Sequence, residues 1–221
     1  MRKSDSKGIF LFGIVFLCLE IFKQGYLYFI VFNGSYDVWY FPFQLCSMPI
    51  YLCLIYGIMN WGNDSKSFGG RKNKGTALMT FLQDYGLLGG ALALIVRDGF
   101  IFPDHIILTI HGYIWHIGMI ILSLYIFFNR FSDTSWKGFA GATAVYGVTA
   151  AIAFGLNIKL SQYGDGDMFY ISPFHNSSQP VFDSIDEAIG RPAGIAVYIL
   201  ATIIGGLVAH LIYWIASKFM E

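Results

Sequence analysis

The chain has 221 residues, of which 56% are hydrophobic, 18% aromatic and 13% charged, with 14 basic and 14 acidic side chains. A soluble domain is usually about 25% charged, so this composition excludes an ordinary soluble protein and indicates surroundings that are largely lipid. The absence of net charge leaves no basic field to attract nucleic acid, so we expect no nucleic-acid partner.

The apolar residues form long continuous runs rather than the roughly ten-residue alternating segments of a membrane β-barrel. We therefore predict an all-α fold, a polytopic membrane helix bundle that makes one integral domain over 1–221. Each run is near the roughly 20 residues that cross the hydrocarbon core. The six predicted spans are about 8–32, 38–59, 76–96, 105–128, 138–157 and 193–217.

The positions of Lys and Arg set the predicted orientation, because cytoplasmic segments carry an excess of these residues. With both termini in the cytoplasm, the inside segments hold ten Lys and Arg residues and the outside segments hold three. We therefore predict that both termini are cytoplasmic. The longest soluble stretch, 158–192, is then external, and its Gly, Ser, Asp and Pro content predicts a segment that folds over the outer mouth or moves as a lid.

Polar side chains within apolar spans are costly, so each is a candidate functional group. In the first span, Glu20 and Lys23 lie three residues apart on one helix face, where they can neutralise each other. Gln44 and Cys46 stand near the start of the second span. All three cysteines lie in apolar runs, so we expect no disulfide framework. A lone cysteine on a span is more often a packing residue than a nucleophile.

The third span carries Asp84 at its middle. This acid is either protonated or paired with Lys23, which would hold the first and third spans together, and its role is either structural or catalytic. His210 lies near the inner end of the last span, where we expect an interfacial side chain.

Cys46 is predicted to lie at the same depth in the membrane as polar residues of the fourth and fifth spans. The second and fourth spans both start outside, so Cys46 and His111 lie at a similar depth, and Asn157 reaches that level at the end of the fifth. A thiol and an imidazole on different helices can form a nucleophile pair, in which the histidine removes the thiol proton. We therefore predict that Cys46 and His111 are a catalytic pair in the outer half of the bundle.

Other polar residues at this level take supporting roles in the hypothesis. Gln44, Asn157 or a backbone N–H could donate a hydrogen bond to an oxyanion. Asn157, Asp167 or Tyr170 could orient the imidazole. The predicted supporting or substrate-binding residues are Gln44, Asp84, Asn157, Asp167 and Tyr170.

Several short motifs resemble one known family. They are FPFQLCSMPIYL at 41–52, IHG at 110–112, GLN at 155–157 and GDMFYISP at 166–173. Their order and spacing resemble those of the YwaF family, small bacterial membrane proteins with six spans. That family has a P-x-H-L-C motif opening its second span, a His-Gly in the fourth, and a late Asn followed by an Asp/Asn-Tyr/Met-Met/Phe stretch.

The resemblance implies a chemistry as well as a fold. The YwaF family is similar to eukaryotic transmembrane phospholipid acyltransferases that depend on a cysteine. By motif, the reactive thiol corresponds to Cys46 and the histidine to His111. Many family members carry a histidine where this chain has Gln44, so His111 would have to serve as the only base. A fold transfers between relatives more readily than a reaction does.

The leading hypothesis is a membrane-embedded acyltransferase. Cys46 would take an acyl chain from an outer-leaflet phospholipid as a thioester and pass it to a lysolipid or to the N-terminal amine of a lipoprotein. The expected partners are therefore membrane lipids and this acceptor, in a multi-pass protein of a bacterial cell membrane. On the outer side, only Arg97, Lys159 and Arg191 are available to hold a phosphate.

Two other functions and a metal site were weighed as alternatives. Gly-rich spans favour a transporter or a substrate-binding subunit without covalent chemistry, since small residues let helices approach and slide. The second alternative function is a non-catalytic scaffold that binds a soluble partner through the basic loop 60–75. A zinc site would need His111, Cys46 and Asp84 to converge, and no H-x-x-x-H or C-x-x-C spacing is present. We expect no metal and no cofactor.

Overall fold

The computed structural model describes residues 6–61, 75–179 and 181–219. Every regular element within these ranges is helical, which confirms the predicted all-α class for this part of the chain. The helices are α1 Ser6–Tyr26, α2 Met48–Met59, α3 Thr76–Ile95, α4 Ile106–Phe128, α5 Trp136–Leu160, α6 Phe182–Ile189 and α7 Arg191–Lys218.

Five helical segments of the described ranges are long and apolar enough to cross a membrane: Ser6–Val31, Thr76–Ile95, Ile106–Phe128, Trp136–Tyr163 and Arg191–Lys218. A helix rises 1.5 Å per residue, so α3 with its 20 residues covers about 30 Å, the thickness of the hydrocarbon core. One face of α7 exposes Leu200, Ile204, Val208 and Ile212 at four-residue spacing. Such an apolar stripe faces lipid in a membrane protein.

The predicted second span differs from the other five. Residues 38–59 begin with two 3₁₀ turns, Val38–Tyr40 and Leu45–Ser47, and end in α2, which has only 12 residues and a proline in its first turn. At 1.5 Å per residue α2 covers about 18 Å, short of a full crossing. A sixth crossing therefore stays a prediction. The cytoplasmic termini also stay a prediction. Many of the Lys and Arg residues on which that prediction rests, in 1–5 and 62–74, lie outside the described residues.

The connections between helices meet at two ends of the bundle. We call the plug end the one where α1, α3 and α5 finish and α2, α4 and α7 begin. The long connection 161–190, predicted as an external cover or lid, folds into this end. Its residues 166–173, which we call the plug, bury Met168 and Phe169 to 1% exposure. The segment is thus a packed part of the core.

Stacked aromatic rings carry the core from the plug toward the opposite end. Phe169 of the plug contacts Tyr146 of α5, with 6.0 Å between ring centroids. Tyr146 stacks on Tyr85 of α3 at 5.1 Å, and Tyr85 stacks on Phe81 at 4.9 Å. Gly206 of α7 faces Tyr85 so closely that a Cβ there would lie 2.7 Å from its ring. The plug and three helices therefore share one packed core.

Candidate functional site at the plug end

Cys46 lies where a 3₁₀ turn runs into α2. Gln44 precedes the turn in an extended conformation, with φ −85° and ψ 164°, and the Ser47 N–H closes the turn onto the Gln44 carbonyl at 2.8 Å. The Cys46 side chain is partly exposed, whereas Cys53 further along α2 is fully buried. Cys46 therefore stands at the start of the helical stretch with part of its surface open, whereas Cys53 is a packing residue of the core.

The imidazole of His111 has one nitrogen engaged and one available. Its Nε2 lies 3.0 Å from the carbonyl oxygen of Leu19 on α1. A carbonyl only accepts hydrogen bonds, so Nε2 carries the proton of the neutral ring and Nδ1 keeps the lone pair. His111 therefore presents Nδ1 as its basic atom, held in orientation by the Leu19 carbonyl.

Trp115 contacts both members of the predicted catalytic pair. Its indole Nε1 donates to the Cys46 carbonyl oxygen at 3.0 Å, and its ring centroid lies 5.5 Å from that of His111. Within the described ranges, no hydrogen bond joins the Cys46 thiol to His111. The structure thus brings the two residues to one tryptophan, and their chemical pairing stays a prediction.

A partly buried ion pair, Glu20 with Lys23, lies on this side of the site. Lys23 Nζ lies 2.8 Å from Glu20 Oε1, as the three-residue spacing indicated. The same ammonium lies 6.0 Å from the centroid of the Trp115 ring. The ion pair therefore lies against the tryptophan that contacts both Cys46 and His111. Glu20 and Lys23 therefore belong to the site as well as neutralising each other.

Two amide side chains, Gln44 and Asn157, hold the plug by its backbone. Gln44 Nε2 donates to the Asp167 carbonyl at 2.7 Å, and Gln44 Oε1 accepts from the Phe169 N–H at 2.7 Å. Asn157 binds Met168 in the same two-way manner, at 3.0 and 2.7 Å. Because both ends of each amide are engaged, we assign these residues to positioning the plug. Neither amide is then free to donate to an oxyanion, as the sequence hypothesis suggested, which leaves a backbone N–H as the predicted donor.

The plug needs this support because its backbone is strained. Phe169 and Tyr170 have φ values of 58° and 56°, a left-handed region that residues with a side chain rarely adopt. Each such residue costs about 1–3 kcal/mol and persists only when its surroundings hold it.

We expect Gln44→Met to lower the free energy of unfolding by about 2 kcal/mol, since it removes two hydrogen bonds worth about 1 kcal/mol each. The measurement is thermal unfolding of the purified protein in detergent. Gln162→Met is the matched control, because Gln162 is exposed and makes one long bond of 3.4 Å to Lys159. Equal midpoints for the two variants would show that Gln44 does not hold the plug.

Tyr170 follows Phe169 in the plug, and its ring contacts that of Tyr198 on α7 with 6.0 Å between centroids. Burial raises the pKa of the Tyr170 hydroxyl, and the neighbouring charges of Cys46 and Asp167 raise this pKa further. Tyr170 therefore stays protonated and remains a hydrogen-bond donor at neutral pH. The predicted role of Tyr170 in orienting the imidazole stays a prediction.

Arg191, at the start of α7, fastens the other side of the plug. Its Nε donates to the Ser172 carbonyl at 2.7 Å, its Nη2 to the Tyr170 carbonyl at 3.1 Å, and its Nη1 to Asp186 Oδ2 at 2.7 Å. Its Nη2 also lies 3.7 Å from Asp167 Oδ1. Burial raises the pKa of the Asp167 carboxyl, against the lowering effects of the Ser172 N–H and of Arg191. Arg191 is therefore a structural clamp, not a free cation for phosphate.

Asp84 lies in a separate buried cluster. Its Oδ2 is 2.8 Å from His210 Nδ1, and its Oδ1 accepts from Gln83 at 2.9 Å. Ser132, in the connection between α4 and α5, donates to Gln83, which places the cluster toward the end opposite the plug. The predicted pairing of Asp84 with Lys23 is wrong, because Asp84 binds His210 and Lys23 binds Glu20. His210 is buried at 2% exposure, and its interfacial depth stays a prediction. Asp84 therefore does not converge with Cys46 and His111, as a zinc site would have required.

These features define a multi-pass helical membrane protein that carries a thiol, an imidazole and an ion pair beneath a packed plug at one end. The chain belongs to the TMEM164 family, whose family model matches residues 1–215. Neither the curated proteins nor the solved structures include a match to the chain.

Proposed function

We propose that the protein is a membrane-embedded acyltransferase. It moves an acyl chain from a phospholipid to a lysolipid or lipoprotein acceptor through a thioester on Cys46. The observation that carries the proposal is the placement of Cys46, a partly exposed thiol at a helix start whose carbonyl is bound by Trp115. The same indole contacts His111 and lies 6.0 Å from the Lys23 ammonium. The resemblance to the YwaF family supports the same chemistry and a bacterial cell membrane as the location. The predicted orientation and the depth of the polar residues support a site open to the outer leaflet.

In the first step, the Cys46 thiolate attacks the ester carbonyl carbon of the donor lipid. A carbon–sulfur bond forms, and the carbon–oxygen ester bond breaks. His111 Nδ1, the atom with the free lone pair, takes the thiol proton and returns it to the departing alkoxide, which leaves as a lysophospholipid. The oxyanion that forms between these events accepts a hydrogen bond from a backbone N–H, the donor that remains once Gln44 and Asn157 hold the plug.

In the second step, the acceptor attacks the same carbonyl carbon. A new carbon–oxygen or carbon–nitrogen bond forms, the carbon–sulfur bond breaks, and the thiolate is released. His111 Nδ1 takes the proton of the acceptor and passes it to the thiolate, which restores the neutral thiol and the neutral imidazole. A thiol suits this scheme because thioesters react readily with amines and alcohols.

The test is direct detection of the thioester. The full-length protein in bilayers receives a phospholipid with a labelled acyl chain, is quenched in acid and is digested. We expect a hydroxylamine-labile label on the peptide that contains Cys46. The same label should persist in Cys18→Ala and in Cys53→Ala, the two other cysteines. A label confined to either of those positions, or no labile label at all, would contradict the proposal.

A further inference from the structure

Two buried oxygen atoms on α1 have no hydrogen-bond partner among the residues that the structure describes. They are Glu20 Oε2 and Gln24 Oε1. Glu20 is 4% exposed, so water does not satisfy its free oxygen from the bulk. A buried acceptor without a donor is costly, because it has lost its bond to water and gained none in return. Two such atoms one helical turn apart indicate a place for a ligand that donates hydrogen bonds.

The orientation of the Gln24 amide is fixed by its neighbours. Its Nε2 lies 2.7 Å from Glu20 Oε1 and 2.7 Å from the Tyr40 carbonyl oxygen. Both neighbours are acceptors, so the nitrogen of the amide must face them and the oxygen must face away. The free oxygen of Gln24 is therefore a property of the site and stands beside a carboxylate.

The number of free acceptors selects the class of ligand. A hydroxyl group carries one hydrogen and satisfies one acceptor, whereas a primary ammonium carries three hydrogens and a positive charge. The Glu20–Lys23 contact uses only Oε1, so Oε2 keeps its lone pairs for a second cation. We propose that Glu20 and Gln24 bind a primary ammonium group of the acceptor.

A series of side-chain contacts connects the proposed ammonium site to the Cys46 backbone. Glu20 binds Lys23, the Lys23 ammonium lies over Trp115, and the Trp115 indole binds the Cys46 carbonyl. An acceptor held by its ammonium is thus anchored beside Cys46. If that amine is the nucleophile, Glu20 takes one of its protons and the nitrogen attacks the thioester carbonyl carbon. A carbon–nitrogen bond forms, the carbon–sulfur bond breaks, and the second proton of the nitrogen passes through His111 Nδ1 to the departing thiolate. If the ammonium is a lipid headgroup, it anchors the acceptor and stays unacylated.

The inference deepens the proposed function, but its test needs no acyl transfer. Two pairs of probes each differ in the primary amine alone. One pair is lysophosphatidylethanolamine and lysophosphatidylcholine of equal chain length, and the other is a diacylglyceryl lipopeptide with a free or an acetylated N-terminus. Binding to the full-length protein is measured by native mass spectrometry in detergent.

We expect the amine-blocked probe of at least one pair to bind about tenfold more weakly, the size of one lost charge-assisted hydrogen bond. The pair that shows the difference identifies the source of the ammonium. Equal binding within both pairs would overturn the inference, and this comparison uses the unaltered protein. Binding without thioester formation would instead refute only the proposed transfer.

A variant pair then assigns the effect to Glu20. Glu20→Gln keeps the size of the side chain and removes its charge, so the preference for the free amine should fall to within about twofold. Glu187→Gln, on the exposed face of α6, is the matched control and should keep the preference. A preference that survives in Glu20→Gln would overturn the assignment.

Discussion

Replacing Cys46 with alanine is expected to lower the rate of acyl transfer about 1,000-fold or more. Removal of the nucleophile from a covalent mechanism leaves only the contribution of binding and of fixed hydrogen-bond donors. The measurement is the appearance of acylated acceptor in bilayers that contain labelled phospholipid. The loss should occur in kcat, because Cys46 forms its bond to the substrate only in the reaction itself.

The control for this experiment is Cys53→Ala, seven residues further along the same stretch of chain. Cys53 is fully buried in the core, so its replacement is expected to affect stability and leave the rate within a few-fold. A Cys46→Ala protein that folds normally and retains most of its transfer activity would refute the covalent mechanism. Such a result would favour the transporter alternative.

Replacing Asp84 with alanine is expected to lower the free energy of unfolding by about 3–5 kcal/mol, the usual cost of removing one partner from a buried ion pair. Asp84 and His210 are 0% and 2% exposed and 2.8 Å apart, so the loss leaves His210 and the Gln83 amide without their partner. Thermal or denaturant unfolding in detergent measures this change. Asp165→Ala, at an exposed aspartate of the 161–190 connection, should stay within about 0.5 kcal/mol.

The double variant Asp84→Leu, His210→Leu separates charge from packing. Removing both partners leaves no unpaired charge, so much of the lost stability should return relative to Asp84→Leu alone. Additive losses in the double variant would show that the two residues do not depend on each other. Because the cluster lies away from the plug end, the variants should change stability far more than the selectivity of transfer.

Much of the fold could be predicted because the length of an apolar run is local information. The predicted spans 76–96 and 105–128 match α3, Thr76–Ile95, and α4, Ile106–Phe128, within a residue or so at each end. The predicted span 38–59 differs because its first half contains 3₁₀ turns, which apolar composition does not distinguish from helix. Hydropathy indicates whether a segment prefers lipid or water, and it does not distinguish the hydrogen-bond pattern of a 3₁₀ turn from that of an α-helix.

The candidate site was predictable in its depth but not in its contacts. Depth along the spans placed Cys46 and His111 at one level, and both contact Trp115. Trp115 follows His111 by four residues, so helical spacing alone could have placed it on the same face.

Other partners left no local signal. Gln44 binds Asp167 across 123 residues, and Asp84 binds His210 across 126. Depth does not reveal which helix faces meet. The sequence therefore could not distinguish a pairing of Asp84 with Lys23 from the observed pairing with His210.

The clamps on the plug have a consequence for how the protein is made. Gln44 and Cys46 leave the ribosome long before the plug, which lies about 120 residues later, and the Arg191 clamp belongs to the last helix. A growing chain therefore carries Gln44 and Cys46 before the plug that packs against this end exists. The plug gains its Arg191 contacts only after the start of α7 has been made, so this end of the bundle is assembled late in synthesis.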